Sequence, residues 1–379
     1  MVPGAFSFSA VTRKTRRRLV VKVGTSTLTN GADSLCRPVM LDVVRQVAQL
    51  LERGDQVALV TSGAIVAGRE ALHVARDAKD IPFKQVLAAV GQARLMQTWD
   101  QLFAHYGLTV AQTLLTRADL ADRQRYLNAR NTLLALLDRR VVPIVNENDV
   151  VAVDEIKIGD NDNLSALVAN LVDADLLVLL TDTAGLYTAD PRRDSSAMLI
   201  AEVPVISDAI VRLASGAGSA HGTGGMATKI QAARLATESG IAVLIADGRA
   251  DNVLVQAAVG AAVGTRFPPA RTGLESRKRW ILAGLAGTAS ARIDAGAAEA
   301  LSRGRSLLPA GIVDIKGRFD RGDSVSIIDS AGKRLGCGVV NYSAADLGRI
   351  KGCKSSQIAS VLGYHYGDEA IHRNNLVVL

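Results

Sequence analysis

Aromatic residues make up only 4% of this 379-residue chain, and cysteine occurs three times. With so few rings, the core has to be built from Val, Leu, Ile and Ala. At 48% apolar residues, that composition suits strands buried on both faces of a parallel sheet. Cys36, Cys337 and Cys353 form neither an even set nor a CxxC spacing. That gives no support to a disulfide framework or a zinc site, and fits ordinary thiols in a reducing compartment. His73, His105, His221, His365 and His372 have no ligand-like spacing. No apolar run approaches the ~20 residues that span a bilayer, and the start lacks a signal-peptide apolar segment. A cytoplasmic protein with no membrane partner is expected.

What is present points to two domains, since the chain exceeds the usual size of one. The net charge is +7, and five of the basic residues lie in Arg13-Lys14-Thr15-Arg16-Arg17-Arg18. That run reads as a solvated arm at 1–18, and the remaining charge assists anionic ligands such as nucleotides. From residue 19 to about 265, strand-like and helix-like segments alternate. The strands are Leu19–Val23, Val57–Thr61, Leu108–Leu114, Val141–Val145, Asp175–Thr181 and Ile241–Ala246. The helices are Pro38–Arg53, Lys84–His105, Asp122–Arg139, Leu164–Val172, Ser207–Leu213 and Thr228–Ser239. This alternation implies an α/β domain over 19–265, a mainly parallel sheet sandwiched by helices, with ligands at the carboxyl ends of the strands. The rhythm breaks at Phe267-Pro268-Pro269, so 266–275 reads as a linker. Short β-like pieces follow at Gly311–Ile315, Ser324–Ile328 and Gly336–Val340, so 276–379 is expected to form a small β-rich second domain.

Two lysines stand in glycine-bearing turns far apart in the chain: Val21-Lys22-Val23-Gly24 and Gly222-Thr223-Gly224-Gly225-Met226-Ala227-Thr228-Lys229. Two cations beside a helix N-terminus suit a phosphoryl group, whose charge spreads over its oxygens in the transition state. The second segment is not a Walker loop, because Lys229 follows Thr228 instead of preceding a Ser or Thr. Ser62-Gly63 ends a strand and supplies either backbone donors for an anion or a helix cap. Asn146-Glu147-Asn148-Asp149 and Gly159-Asp160-Asn161-Asp162-Asn163 are dense in acceptors and suit either a ligand ammonium or turn chemistry. An EF-hand is excluded: position six from Asp160 is Ser165 and position twelve is Leu171. Thr181-Asp182, followed by Gly185-Leu186-Tyr187-Thr188-Ala189-Asp190-Pro191, reads equally as a lip for a nucleotide or as a hairpin and turn.

These motifs, in this order, resemble those of the glutamate 5-kinase (γ-glutamyl kinase) family in the amino acid kinase superfamily, from about Leu19 to the C-terminus. The tail resembles the PUA domain of the bacterial members, and Ala227 stands where the family pattern has serine. The resemblance implies ATP-dependent phosphorylation of the L-glutamate γ-carboxylate, the first step of proline biosynthesis. It places Lys22 and Lys229 on the phosphates and Asp162 as the carboxylate that orients both. It assigns Ser62, Gly63, Asp149 and Asn161 to glutamate. Thr181, Asp182, Thr223, Gly224, Gly225, Met226, Ala227 and Thr228, with both lysines, go to ATP. Mg²⁺ is expected to be held mainly by ATP, with no ligand set from the protein.

The resemblance further implies feedback inhibition by proline, a homo-oligomer, and glutamate-5-semialdehyde dehydrogenase as pathway partner. Two alternatives follow from the same residues. One is a sister kinase acting on N-acetylglutamate, aspartate or a nucleoside monophosphate. The other is an RNA-binding protein using the PUA-like tail and the basic arm, with the kinase domain vestigial; the stretch Arg277-Lys278-Arg279 would suit the same contact but reads first as a solvated charge run. Retention of both lysines and Asp162 argues against a vestigial kinase.

Overall fold

The computed structural model describes residues 17–74, 80–152, 161–215, 225–270 and 289–378. Its first sheet contains β1 (Arg18–Val23), β2 (Gln56–Thr61), β3 (Val110–Leu115), β4 (Val142–Glu147), β5 (Leu176–Thr181), β6 (Ala242–Asp247) and β7 (Thr265–Phe267). The strand order is β3-β4-β2-β1-β5-β6-β7. All neighbours pair in parallel except β6 and β7, where a short antiparallel strand closes the edge. Neighbours of β1 in the sheet are β2 on one side and β5 on the other, so the order reverses at β1. Its carboxyl end opens into the crevice where such sheets bind ligands.

Alternation along β1 divides the interior into two cores. Leu19, Val21 and Val23 face one, with Met40, Ala64, Leu95 and Trp99 from the helices Arg37–Glu52, Ala64–Leu72 and Ile81–Ala104. Val20 faces the other, with Leu133, Leu164 and Ile230 from the helices Arg123–Asp138, Asn161–Leu171 and Met226–Glu238. Lys22 shares the parity of Val20, so its side chain leaves β1 on the face covered by Asn161–Leu171.

Several local expectations are corrected. Asn161-Asp162-Asn163 is the first turn of the helix Asn161–Leu171, which begins before the expected Leu164. Asn and Asp compete with the backbone inside helices but suit their first turns, so this start is hard to tell from a loop. The segment after Ser62 is a helix, Ala64–Leu72, entered through Gly63 at φ 100°. This helix crosses Ile81–Ala104 at backbone contact: a Cβ on Gly91 would lie 1.8 Å from the Ala64 carbonyl oxygen, and one on Gly68 1.9 Å from that of Leu87. Only glycine fits at either position. Arg18, read as part of the arm, opens β1, and Arg17 donates to the Asp55 carboxylate and the Ala258 carbonyl. Arg266 and Phe267, read as linker, lie in β7. The rest of the arm and residues 271–275 lie outside the described residues.

A second sheet holds β8 (Ser290–Ile293), β9 (Ile312–Lys316), β10 (Ser324–Ile328), β11 (Arg334–Val339) and β12 (Leu376–Val378), in the order β12-β11-β10-β8-β9. It encloses its own core of Ile293, Val325, Ile327, Tyr342, Leu347 and Ile358. The two units touch. Leu127, on the helix Arg123–Asp138, is fully buried in a cluster with Cys337, Val339 and Val377 of the second sheet. Beside it Arg321 Nη1 donates to Asn128 Oδ1 at 2.5 Å.

Candidate active site

The carboxyl ends of β1, β2, β4 and β5 meet the N-termini of two helices. Lys22 leaves β1 one residue before its end, and its Nζ lies 2.7 Å from Asp162 Oδ1. Lys229 lies one turn inside the helix Met226–Glu238, and its Nζ is 3.3 Å from Asp162 Oδ2. Thr228 Oγ1 donates to that same oxygen at 2.7 Å. All three charged side chains are buried, Asp162 at 1% exposure and each lysine at 5%. Gly24 makes room for this arrangement, since a Cβ there would stand 3.2 Å from Lys22 Nζ.

Burial alone pushes the Asp162 carboxyl upward, but the charges of Lys22 and Lys229, with hydrogen bonds from Lys22 and Thr228, outweigh it. The group is held below the usual aspartate range. Lys229 goes the other way: burial and the neighbouring Lys22 charge lower it, although Asp162 opposes them. One carboxylate between two buried ammonium groups leaves a net positive centre. Gly225 caps the helix Met226–Glu238, and neither it nor Met226 and Ala227 is buried, so the first-turn N–H groups stand at the edge of this centre. Thr223 and Gly224 lie outside the described residues.

On the other side of Lys22 the polar groups are of a different kind. Asn161 Nδ2 lies within donating distance of the Thr61 carbonyl at 3.0 Å, Ser62 Oγ at 3.0 Å and Asn146 Oδ1 at 3.1 Å. Ser62 and Gly63 follow β2, and Asp149 lies in the turn after β4, so these expected amino-acid ligands gather around the ends of two adjacent strands. Thr181 and Asp182 close the opposite rim, where Thr181 Oγ1 donates to Asp182 Oδ1 at 3.1 Å.

The amino acid kinase family matches residues 17–247, and the PUA domain matches 290–362. The chain is 56% identical over 366 residues to the glutamate 5-kinase of Herpetosiphon aurantiacus, covering 96% of this chain and 99% of that one. It is 52% identical over 367 residues to the glutamate 5-kinase of Dehalococcoides mccartyi strain CBDB1, covering 96% and 98%. With that of Vibrio vulnificus it shares 52% over 364 residues, covering 96% of each. The chain belongs to the glutamate 5-kinase family.

A member of the glutamate 5-kinase family is a kinase, and kinases use a divalent metal with ATP. Among the described residues no group of three or more His, Cys, Asp or Glu converges as a metal cage. Asp162 has both oxygens committed to the lysines and Thr228. Also among the described residues, no helix is long and apolar enough to cross a membrane.

Two contributions escaped the sequence reading. Arg249, after β6, donates through Nη2 to the Asp182 carbonyl at 2.7 Å while pairing with Asp247 at 2.8 Å, and so straps the ends of β5 and β6 together. Asn146, quoted in a motif but given no role, bridges Asn161 to Gln92. Neither carries a sequence signal, because each depends on which strands become neighbours.

Proposed function

We propose that the protein transfers the γ-phosphoryl group of ATP to the γ-carboxylate of L-glutamate, giving L-glutamyl 5-phosphate and ADP, the first step of proline biosynthesis. The convergence of Lys22 and Lys229 on the two oxygens of Asp162, at 2.7 and 3.3 Å, supports this most directly. A glutamate carboxylate is ionised at neutral pH, so the nucleophile needs no general base. One carboxylate oxygen forms a bond to the γ-phosphorus as the bond from that phosphorus to the β,γ-bridging oxygen breaks. The electron pair leaves with ADP, and no proton is taken up or released by the step itself.

The protein's task is to align two anions that repel each other and to stabilise the charge in flight. Lys22 and Lys229 supply positive charge, and Gly225, Met226, Ala227 and Thr228 line the phosphates with backbone donors; Thr223 and Gly224 are assigned to ATP on the resemblance alone. Asp162 is a positioning residue that holds both ammonium groups toward one point. Ser62, Gly63 and Asn161 hold the amino acid, Asp149 answers its ammonium, and Thr181 with Asp182 flanks the nucleotide. Mg²⁺, bound through the ATP phosphates, supplies further charge neutralisation.

Inhibition by proline beside the amino-acid pocket, assembly as a homo-oligomer, a cytoplasmic location and delivery of the acyl phosphate to glutamate-5-semialdehyde dehydrogenase belong to the same reading and rest on the kinship alone. The test is ATP turnover with a panel of amino acids, trapping the acyl phosphate as a hydroxamate. Glutamate should give hydroxamate well above aspartate and N-acetylglutamate. A different preferred acceptor would defeat the substrate assignment.

A further inference from the structure

The helix Ile81–Ala104 contacts the proposed amino-acid side of the site through three side chains spaced seven residues apart: Gln85, Gln92 and Trp99. At that spacing they form one stripe along the helix. Gln85 Nε2 donates to the Asp149 and Val150 carbonyls at 3.2 and 3.0 Å, in the turn after β4. Gln92 Oε1 accepts from Asn146 Nδ2 at 2.8 Å, at the end of β4. Trp99 Nε1 donates to Thr61 Oγ1 at 3.1 Å, at the end of β2, and Thr61 Oγ1 in turn donates to the Ser62 carbonyl at 3.0 Å. The stripe thus ends on the segments that carry Ser62, Asn146 and Asp149. The helix itself is fixed by the Gly68–Gly91 crossing against the helix that Gly63 opens.

Gln92 occupies the decisive place in this stripe. Asn146 is 1% exposed, and its carboxamide has one bond on each side: its nitrogen donates to Gln92, and its oxygen accepts from Asn161. Held by Gln92, the Asn146 amide presents its oxygen to Asn161 Nδ2. Asn161 is thereby turned so that its own Oδ1, buried and without a hydrogen-bond partner among the described residues, remains available as an acceptor. Without Gln92, the Asn146 NH₂ loses its acceptor, and the amide gains by turning over and offering its nitrogen elsewhere. Asn161 then faces a donor instead of an acceptor and loses its orientation.

We propose that Gln92 is a positioning residue for the amino-acid pocket, acting through Asn146 on Asn161. This rests on the assignment of that pocket to the acceptor amino acid. Among the described residues Gln92 Nε2 is buried and makes no hydrogen bond, so its oxygen alone is used there. The conservative replacement that keeps an acceptor at this point is therefore glutamate.

Gln92→Met keeps the length of the side chain and removes the acceptor, whereas Gln92→Glu retains it. Gln92→Met should raise the KM for the acceptor amino acid about tenfold or more, with the ATP KM within about twofold of the parent chain. Gln92→Glu should restore the amino-acid KM to within about threefold. An unchanged amino-acid KM in Gln92→Met overturns the proposal, as does an equal rise for both substrates, which marks a general loss of structure. Equal impairment of Gln92→Met and Gln92→Glu also overturns it, since the amide N–H would then be touching substrate. Should Gln92→Met not fold, Gln85→Met must show the same one-sided rise, and its absence counts against the stripe. The parent chain is assayed first with the amino-acid panel. If glutamate is not its acceptor, the substrate assignment fails, and the variants are compared with the acceptor that is used.

Discussion

Asn161 and Asp162 are neighbours in the chain, yet their side chains serve opposite halves of the crevice. Asn161 reaches the end of β2 and the Asn146 amide at 3.0–3.1 Å, while Asp162 reaches Lys22 and Lys229 at 2.7 and 3.3 Å. Successive residues in a helix point about 100° apart, so one turn addresses both halves at once.

The buried lysines carry the first prediction. Lys22→Met or Lys229→Met should lower kcat by ~10²-fold or more, on the order of 3 kcal/mol of transition-state stabilisation. Steady-state turnover of variants checked for folding by circular dichroism tests this. Near-parental turnover in both variants would remove the phosphoryl role from the pair.

The pH profile should carry the mark of the triad. The Asp162 carboxyl lies below its ordinary value, so the stability of its ionised form is fully present above ~3.9, and is lost as pH falls through the lower folded value. No acid limb from this group should appear above about pH 4. Lys229 lies below the ordinary lysine value, so the cost of burying its charge is relieved as pH rises through the folded value. In Asp162→Asn the charge that opposes this lowering is gone. The alkaline fall of kcat should therefore move to lower pH than in the parent chain. A pH–rate series on both proteins decides, and coincident alkaline limbs would count against the coupling.

Asp149 offers a test of substrate choice. If it meets the ammonium of the amino acid, Asp149→Asn should raise the glutamate KM by about tenfold or more and leave the ATP KM near its parental value, because a ligand charge loses its partner in a partly dry site. Parallel changes in both constants would give Asp149 a role in the turn instead.

The residues assigned to chemistry all precede the second sheet, so a chain ending at Gly273 should keep glutamate-dependent turnover. It should also be less stable, because Leu127, fully buried against Cys337, Val339 and Val377, becomes exposed. Exposing that side chain alone costs about 1.5–3 kcal/mol. Thermal melting and hydroxamate formation are measured on the shortened chain, with Leu127→Lys added to restore solubility. A soluble, folded, shortened chain with no turnover would mean that the second unit contributes to the site.

The sheet was legible because its strands are short β-branched runs bounded by polar turns, and the first six were recognised with ends displaced by no more than two residues. The convergence of Lys22 and Lys229 on Asp162 was legible for a different reason: the two lysines stand beside glycine-bearing segments whose order is shared with a known family. Other features were hidden in the chain. Asn161-Asp162-Asn163 has the composition of a turn and the geometry of a helix start. Gln85, Gln92 and Trp99 look like unremarkable positions on a long helix until the ends of β2 and β4 come to lie beneath them. Leu127 reads as a core residue of its own domain, and nothing in its spacing indicates that Val339 and Val377 cover it. The three-residue strands β7 and β12 are too short for any pattern to declare itself.

The helix Asn161–Leu171 is fastened at both ends. Its first turn is held by the lysine pair, and at the far end Arg130 donates to the Leu171 carbonyl and pairs with Asp173 at 2.5 Å. With both ends anchored, its 11 residues act as a spacer of set length. Inserting one residue would swing Asp162 by about 100° and shift it by about 1.5 Å, and no whole number of residues completes a turn. Side chains along this segment can change in ways that packing tolerates, but gaining or losing a residue would move Asp162 away from both lysines. Sequence drift here is confined to replacement, with insertion and deletion closed to it.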